Sequence, residues 1–215
     1  MWWTLFRKEL TESAPLGVAA CLGPLTWVSV EVWSHSFWRK EVTSIPLLDK
    51  KMYIPLLLAG FVLALGMAAR QVLVEEHHRN FHQLLTLPAR LKEIFGAKLI
   101  AGLLVFVVSL ALPVLVYALW AGAPGTHPGP FEWSMLALPG RVVLTLPILY
   151  FGFFLTFLRP AHWLGTKLLP LVPAVVVTAA APDSYWYWPW GLLFVVLAEA
   201  LYAANILWAA EARDY

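Results

Sequence analysis

The chain has 215 residues, of which 60% are hydrophobic and only 13% are charged. Soluble domains are about 45–50% apolar and about 25% charged, so this composition predicts an integral membrane protein in a lipid bilayer. The net charge of +2 is too small to indicate a nucleic-acid partner. The single cysteine, Cys21, excludes an internal disulfide and a metal cluster built on thiolates.

The first 13 residues combine bulky apolar side chains with charges. Trp2 and Trp3 precede Arg7 and Lys8, and tryptophan beside basic residues is typical of the headgroup region of a membrane. No small-residue cleavage site follows a short apolar core, so we do not expect a cleaved signal peptide. The pattern predicts an amphipathic helix over residues 1–13 that lies in the membrane interface. The alternative is a frayed start to the first membrane span.

Six later stretches are apolar enough to cross a membrane, which takes about 20 mostly apolar residues. They cover residues 14–33, 52–69, 99–120, 135–158, 163–181 and 190–210. The fifth is the weakest, because Lys167, Pro170 and Pro173 leave it only a short uncharged part. Strands of a transmembrane barrel alternate apolar and polar residues, whereas these segments are apolar on every side. The sequence therefore predicts an all-α protein with six transmembrane helices in one domain, residues 1–215.

The basic residues predict the orientation in the membrane. With a cytoplasmic amino terminus and six crossings, ten Lys and Arg residues lie inside and five lie outside. Basic residues in short loops favour the cytoplasmic side. The exception is the first outer loop, which holds Arg39, Lys40, Lys50 and Lys51. We therefore expect a multi-pass protein of the cell (inner) membrane with both termini in the cytoplasm.

Residues 70–98 form a long polar segment between the second and third predicted spans. Phe81, Leu84 and Leu85 have the i, i+3, i+4 spacing of an apolar helix face, which predicts a short helix over residues 75–87. Pro88 ends that helix, and a second helix through Arg90, Lys92 and Lys98 is expected to lead into the third span. A simple connection needs only a few residues, so this loop is expected to bind a partner.

The same loop resembles the cytoplasmic loop of type-2 ABC transporter permeases. The resemblance lies in the order Glu75-Glu76, Leu84-Leu85-Thr86-Leu87-Pro88, Arg90, Ile94 and Gly96-Ala97-Lys98-Leu99. The six-span layout and the interfacial first helix also agree with that family, so the resemblance covers nearly the whole chain. One departure is that His77-His78-Arg79-Asn80 stands where the family often has Ser-Gly-Thr after the glutamate.

The resemblance implies that the 75–87 segment is a coupling helix that docks on a separate ATP-binding subunit. The residues expected to dock are Glu75, Glu76, Arg79, Phe81, Leu84, Leu85, Leu87 and Pro88. The chain has no G-x-x-x-x-G-K-[ST] phosphate loop. We therefore expect no cofactor and no enzymatic activity in this chain, with ATP and Mg²⁺ on the partner. The expected complex is an exporter with two ATPase subunits and two permeases, the second being another copy or a homologue.

Other interpretations remain open. A haem-exporter-like permease of cytochrome c maturation has similar length and layout, and a non-transporting assembly subunit is an alternative of another class. His78 and His82 have a spacing that suits zinc, but without a third ligand we favour solvated histidines and predict no metal site. Glu75-Glu76 with Arg79 is weakly similar to the E-E-x-x-x-R signature of intramembrane prenyl-protein proteases, which we consider disfavoured.

The last predicted span and the segment before it hold the candidates for a translocation path or gate. They are Glu199 and Asn205 within the span, and Tyr185, Trp186 and Trp188 in the aromatic outer segment SYWYWPWG. An acidic side chain at mid-membrane is unfavourable by about 2.5–3.5 kcal/mol, so Glu199 is expected to face protein or water. The alternative is structural: a hydrogen bond to Thr145, Thr156 or Tyr150, or a protonated carboxyl. For the aromatic segment, we favour an interfacial belt over a haem-binding surface.

Overall fold

The computed structural model describes residues 2–38, 47, 52–74, 91–127, 130–159, 164–180 and 187–211. All regular secondary structure within these ranges is helical. The all-α class predicted from uniformly apolar segments is therefore confirmed for the described part of the chain.

The described ranges contain the following helices in chain order. The α-helices are α1 (Trp2–Trp38), α2 (Tyr53–Ala69), α3 (Leu91–Ala121), α4 (Ala137–Thr145), α5 (Pro147–Leu158), α6 (Leu164–Leu168), α7 (Leu171–Ala180) and α8 (Leu192–Glu211). The π-helical turn Arg70–Val74 continues α2, the π-helical turn Tyr187–Gly191 precedes α8, and the 3₁₀ turn Trp133–Leu136 precedes α4.

Helices long and apolar enough to cross a membrane account for most of the described residues. They are Trp2–Ser34, Tyr53–Val74, Leu91–Ala121, Trp133–Leu158 and Pro189–Glu211, five within the ranges that the structure describes. These five helices are compatible with a multi-pass membrane protein.

The amino-terminal region differs from the prediction of an interfacial helix followed by a separate span. Helix α1 is continuous across residue 13, and it is packed along α3. Gly17 permits this close approach, because an added Cβ would lie 2.6 Å from Cγ1 of Val105 in α3. Glu9 and Ser13 are buried, whereas Trp3 is exposed. The charged pattern that predicted a surface helix thus belongs partly to a face buried in the bundle.

The third predicted span begins earlier than residue 99. Helix α3 starts at Leu91, so Lys92 and Glu93 occupy its first turn and Lys98 lies two turns in. The predicted helix through Lys92 and Lys98 that leads into the span is confirmed from Leu91 onward, whereas the boundary between loop and span at residue 99 is wrong. Lys98 is buried, so the helix enters the bundle before its sequence becomes uniformly apolar.

Prolines divide the fourth and fifth predicted spans. Between α4 and α5, Leu146 N–H donates to the Val142 carbonyl at 3.0 Å, and the chain then continues with Pro147, which has no N–H to donate. The fifth predicted span, residues 163–181, is not one helix, because Leu169 and Pro170 form a turn between α6 and α7. Helix α7 has 10 residues and is about 15 Å long, half of the roughly 30 Å hydrocarbon layer.

Helices α4 and α5 lie at the centre of the bundle, and α8 lies at its edge. In an apolar stretch of 18 residues within Trp133–Leu158, 83% of the residues are buried. In the corresponding stretch of Pro189–Glu211, only 11% are buried. Two aromatic pairs fix the direction of α5 relative to α3: Phe154 with Phe95, at 6.1 Å between ring centroids, and Tyr150 with Phe106, at 6.2 Å. Helix α5 is therefore antiparallel to α3 and ends at the end of the bundle where α3 begins.

If α3 crosses the membrane, its two ends must lie on opposite sides. We expect Lys92→Cys and Pro124→Cys, each in a Cys21→Ser background, to react with a membrane-impermeant thiol reagent from opposite faces of sealed vesicles. Both positions are exposed, and the cysteine-free background is the control. Reaction of both positions from the same face would contradict a membrane-spanning α3.

Candidate functional site

Four polar side chains from four helical segments meet inside the apolar bundle. They are Glu9 of α1, Gln71 of the π turn after α2, Lys98 of α3 and Tyr150 of α5, and all four residues are buried. We call this group the ion-pair cluster. In a bundle surrounded by lipid, such groups must satisfy one another, because no bulk water reaches them.

The centre of the ion-pair cluster is a salt bridge between Lys98 and Glu9. Lys98 Nζ lies 3.1 Å from Glu9 Oε1, and the two side chains are 1% and 5% exposed. Removing two charges from water costs several kcal/mol for each ion, so a buried pair is stable only with good geometry and further hydrogen bonds. Each charge therefore depends on the other, and α1 is held against α3 at this point.

Gln71 supplies further hydrogen bonds. Lys98 Nζ donates to the Gln71 carbonyl at 3.5 Å, and Gln71 Nε2 donates to the Lys98 carbonyl at 3.4 Å. Both distances are long, so the two bonds are weak individually. Together they join the end of the α2 segment to α3 by a reciprocal contact.

Tyr150 completes the ion-pair cluster from the centre of the bundle. Its hydroxyl donates to Gln71 Oε1 at 2.6 Å. Gly102 makes room for this hydroxyl, because a Cβ at that position would overlap it. Phe106 and Phe154 pack around the ring. The tyrosine thus fixes the Gln71 amide within an aromatic and otherwise apolar environment.

Among the described residues, two further ion pairs that join different helices lie at the same end of the bundle. Arg70 Nη2 is 2.5 Å from Glu12 Oε2, which joins the α2 segment to α1. Lys92 Nζ is 2.9 Å from Glu211 Oε1, which joins the start of α3 to the last residue of α8. Partly exposed pairs of this kind contribute only about 0–1 kcal/mol each. Their main consequence is geometric, since they place four helix ends side by side.

Two residues of the ion-pair cluster flank segment 75–90 of the long polar loop in the sequence. Gln71 comes shortly before Val74, the last described residue before the loop, and Lys98 comes shortly after Leu91, the first described residue beyond it. Both ends of segment 75–90 are therefore attached to side chains that are connected within the bundle.

Most of the site residues predicted from the sequence lie outside the described part of the chain. The predicted docking residues Glu75, Glu76, Arg79, Phe81, Leu84, Leu85, Leu87 and Pro88 all do, as do Tyr185 and Trp186. Trp188 lies in the π turn Tyr187–Gly191, of which only the backbone is described at that residue. The roles assigned to these residues stay predictions.

Glu199 lies on the face of α8 that is turned toward the bundle. Val195 and Ile206 are buried on the same face, four residues before and seven after it. Its Oε1 atom is buried and has no hydrogen-bond partner within the described residues. Two of the expected partners bond elsewhere: the Tyr150 hydroxyl to Gln71, and the Thr156 hydroxyl to the Gly152 carbonyl. Glu199 is therefore a half-buried side chain with one buried oxygen that lacks a partner among the described residues, and its role stays a prediction.

Asn205 differs from Glu199 in its surroundings. It is exposed, and its amide donates to the carbonyl of Leu201 in the same helix at 2.8 Å. No group of three or more His, Cys, Asp or Glu side chains that could hold a metal occurs among the described residues. The His78–His82 pair lies outside them.

Sequence reasoning missed the ion-pair cluster. It placed Glu9 in the interface and Lys98 in the loop, and it gave Gln71 no role. The available signal was that Gln71 and Lys98 are polar residues at the borders of apolar runs. Which distant carboxylate would pair with Lys98 depends on how α1 packs on α3, and no local pattern contains that information.

The fold and the ion-pair cluster together describe an all-helical protein whose apolar helices suit a multi-pass membrane protein. No family model matches the chain, and no curated protein or solved structure is significantly similar to it.

The buried salt bridge predicts a specific pattern of stabilities. We expect Lys98→Met or Glu9→Met alone to lower the free energy of unfolding by about 3–5 kcal/mol, because each leaves one buried charge without its partner. The double variant should be more stable than either single variant, since it leaves no unpaired charge. Unfolding of the detergent-solubilised chain by sodium dodecyl sulfate measures this.

Lys92→Met is the matched control, because it removes a lysine from an exposed ion pair of the same helix and should cost at most about 1 kcal/mol. Additive losses in the double variant would show that Lys98 and Glu9 do not depend on each other.

Proposed function

We propose that this chain is the membrane-spanning permease subunit of an ABC transporter, an exporter driven by a separate ATP-binding subunit. The observation that supports it most is the attachment of both ends of the 75–90 loop to the ion-pair cluster. The partner docks on the 75–87 segment through the apolar residues Phe81, Leu84 and Leu85, with Glu75 and Arg79 at the edge. Two permeases and two ATPases form the complex.

The contacts around the loop suit the transmission of movement. A displacement of the loop acts on Gln71 at one end and on Lys98 at the other. Through the Glu9 salt bridge the displacement reaches α1, and through the Lys92–Glu211 pair it reaches α8. Rigid helices joined by such polar contacts move together rather than separately. Closure of two ATP-bound subunits would thus tilt several helices at once and change access from one side to the other.

The directions of the helices favour six crossings. The ion pairs place the start of α1, the end of the α2 segment, the start of α3 and the end of α8 at one end of the bundle. Helix α5 also ends there, whereas α8 starts at the other end. In this proposal residues 160–188 connect opposite ends of the bundle, and the segment of α6 and α7 is the fifth of the six crossings. In the proposed orientation the shared end is cytoplasmic.

The proposed division of labour places nucleotide chemistry on the partner. ATP and Mg²⁺ bind the ATPase subunit, and the permease supplies the path. Glu199 is the proposed path or gate residue, because it faces the bundle from a helix at the edge, next to where a second permease could pack.

Docking on the loop is tested by charge insertion. In a complex purified from the native host through the tagged permease, we expect an ABC ATPase to co-purify with the wild type. The variant Leu84→Asp/Leu85→Asp should lose it, because two carboxylates would enter the apolar contact. Mass spectrometry of the co-purified chains is the measurement.

Gln83→Asp/Thr86→Asp is the control, because it adds the same charge on the opposite face of the predicted helix. Retention of the ATPase by the Leu84→Asp/Leu85→Asp variant would exclude this docking surface. Absence of any nucleotide-binding chain from the wild-type complex would contradict the proposed function itself.

Glu199 is tested by two substitutions of similar size. Its Oε1 atom has no partner among the described residues, so neither Glu199→Gln nor Glu199→Leu should lower stability. If Glu199 acts in the path, both variants should keep the ATPase bound but change ATP hydrolysis in reconstituted vesicles by several-fold. Wild-type hydrolysis and transport in both variants would exclude a role in the path, and destabilisation by Leu alone would indicate a structural hydrogen bond.

A further inference from the structure

An elongated groove runs along the outer side of α8. Its walls come from α8, from the end of α5 and from the turn between α6 and α7, and its volume is about 540 Å³. The turn at Leu169–Pro170 lies in its wall. On α8 the groove extends from Phe194 to Ala209, which corresponds to about 22 Å of helix.

The walls of the groove are apolar. Leu155, Pro173, Leu197 and Leu201 line it, with Trp208 near one end. Two polar side chains of the wall form hydrogen bonds within the protein. The Tyr202 hydroxyl donates to the Pro170 carbonyl at 2.5 Å, and the Asn205 amide donates to the Leu201 carbonyl. The middle of the groove therefore suits a hydrocarbon chain.

One end of the groove carries a positive charge. Arg159 follows the last residue of α5, is exposed, and forms no ion pair with any described residue. Because α5 ends where α3 begins, Arg159 lies at the same end of the bundle as Lys92 and Glu211. Trp208, in the last turn of α8, is 70% exposed beside it. An arginine and a tryptophan at this level are typical of the headgroup region.

We propose that this groove is a binding site for one anionic phospholipid of the bilayer. The guanidinium of Arg159 binds the phosphate, for which its planar array of N–H donors is well suited. One acyl chain lies between Leu155, Pro173 and Leu201. A single leaflet offers about 15 Å of hydrocarbon depth, so the groove is long enough for the chain. The charge of Arg159 selects an anionic over a zwitterionic headgroup.

The site is independent of the proposed transport function, because it requires only the bilayer and this chain. It also gives the α6–α7 turn a role: a lipid in the groove fills the space beside Pro170 that no described side chain fills.

The test compares spin-labelled lipids in vesicles of unlabelled phosphatidylcholine that contain the purified full chain. Electron paramagnetic resonance measures the immobilised fraction of labelled phosphatidylglycerol and of labelled phosphatidylcholine. The wild type should prefer phosphatidylglycerol, and Arg159→Gln should lower that preference by about fivefold, the effect of one basic residue near the surface. Arg7→Gln is the matched control, because Arg7 is also exposed, lies at the same end and forms no ion pair with a described residue. The preference of the Arg7→Gln variant for phosphatidylglycerol should stay within twofold of that of the wild type.

A second pair of variants tests the groove itself. Leu201→Trp should fill it and reduce the immobilised fraction of phosphatidylglycerol. Val196→Trp places the same side chain at an exposed position of α8 outside the groove and should leave that fraction unchanged. Equal effects of Arg159→Gln and Arg7→Gln would overturn the proposal in favour of general surface charge. If Leu201→Trp changed the oligomeric state while Arg159→Gln left the preference for phosphatidylglycerol unchanged, the proposal would be overturned. The groove would then hold a second copy of the chain.

Discussion

The salt bridge between Lys98 and Glu9 is the interaction on which the arrangement of the helices depends. Helices inside a membrane gain little from burying apolar surface against each other, because lipid tails are equally apolar. A buried charge, by contrast, has very few acceptable positions. Lys98 lies two turns inside α3 at 1% exposure, so α1 must bring a carboxylate to it. Once Glu9 is in place, Glu12 lies one turn further along α1 and pairs with Arg70. The register of α1 against α2 and α3 follows.

This arrangement also sets what the polar loop can do. Its two ends are continuous with the helical segments that carry Gln71 and Lys98, and these residues bond to each other's carbonyls. A partner that moves the loop therefore moves a connected unit of α1, α2 and α3 rather than two independent helix ends. Tyr150 extends the unit to α5 at the centre.

The sequence predicted the helical class and most apolar segments because long uncharged runs have only one stable form in lipid. It was less informative wherever a position depended on a distant partner. Glu9 was assigned to the membrane interface because it belongs to the charged half of an amphipathic pattern, and only the packing of α1 on α3 shows that it is buried. For the fifth segment, Pro170 and Pro173 indicated weakness but not the turn that divides it. For Glu199, the cost of an acid in lipid indicated an inward face correctly, whereas the expected partners Tyr150 and Thr156 bond to other groups.

Helix α8 presents different chemistry on its two sides, and this follows from its position at the edge of the bundle. The inward side carries Val195, Glu199 and Ile206, so a half-buried acid with one buried oxygen lies on the side of α8 that faces the bundle. The outward side lines the groove that ends at Arg159. The described ion pair between α8 and α3 is that of Glu211, the last residue of α8, with Lys92, and it is half exposed. Helix α8 also packs along α5 and α3, and in its middle the Tyr202 hydroxyl donates to the Pro170 carbonyl. A movement of α8 would change the surroundings of Glu199 and the width of the groove together, because both are formed by the same helix.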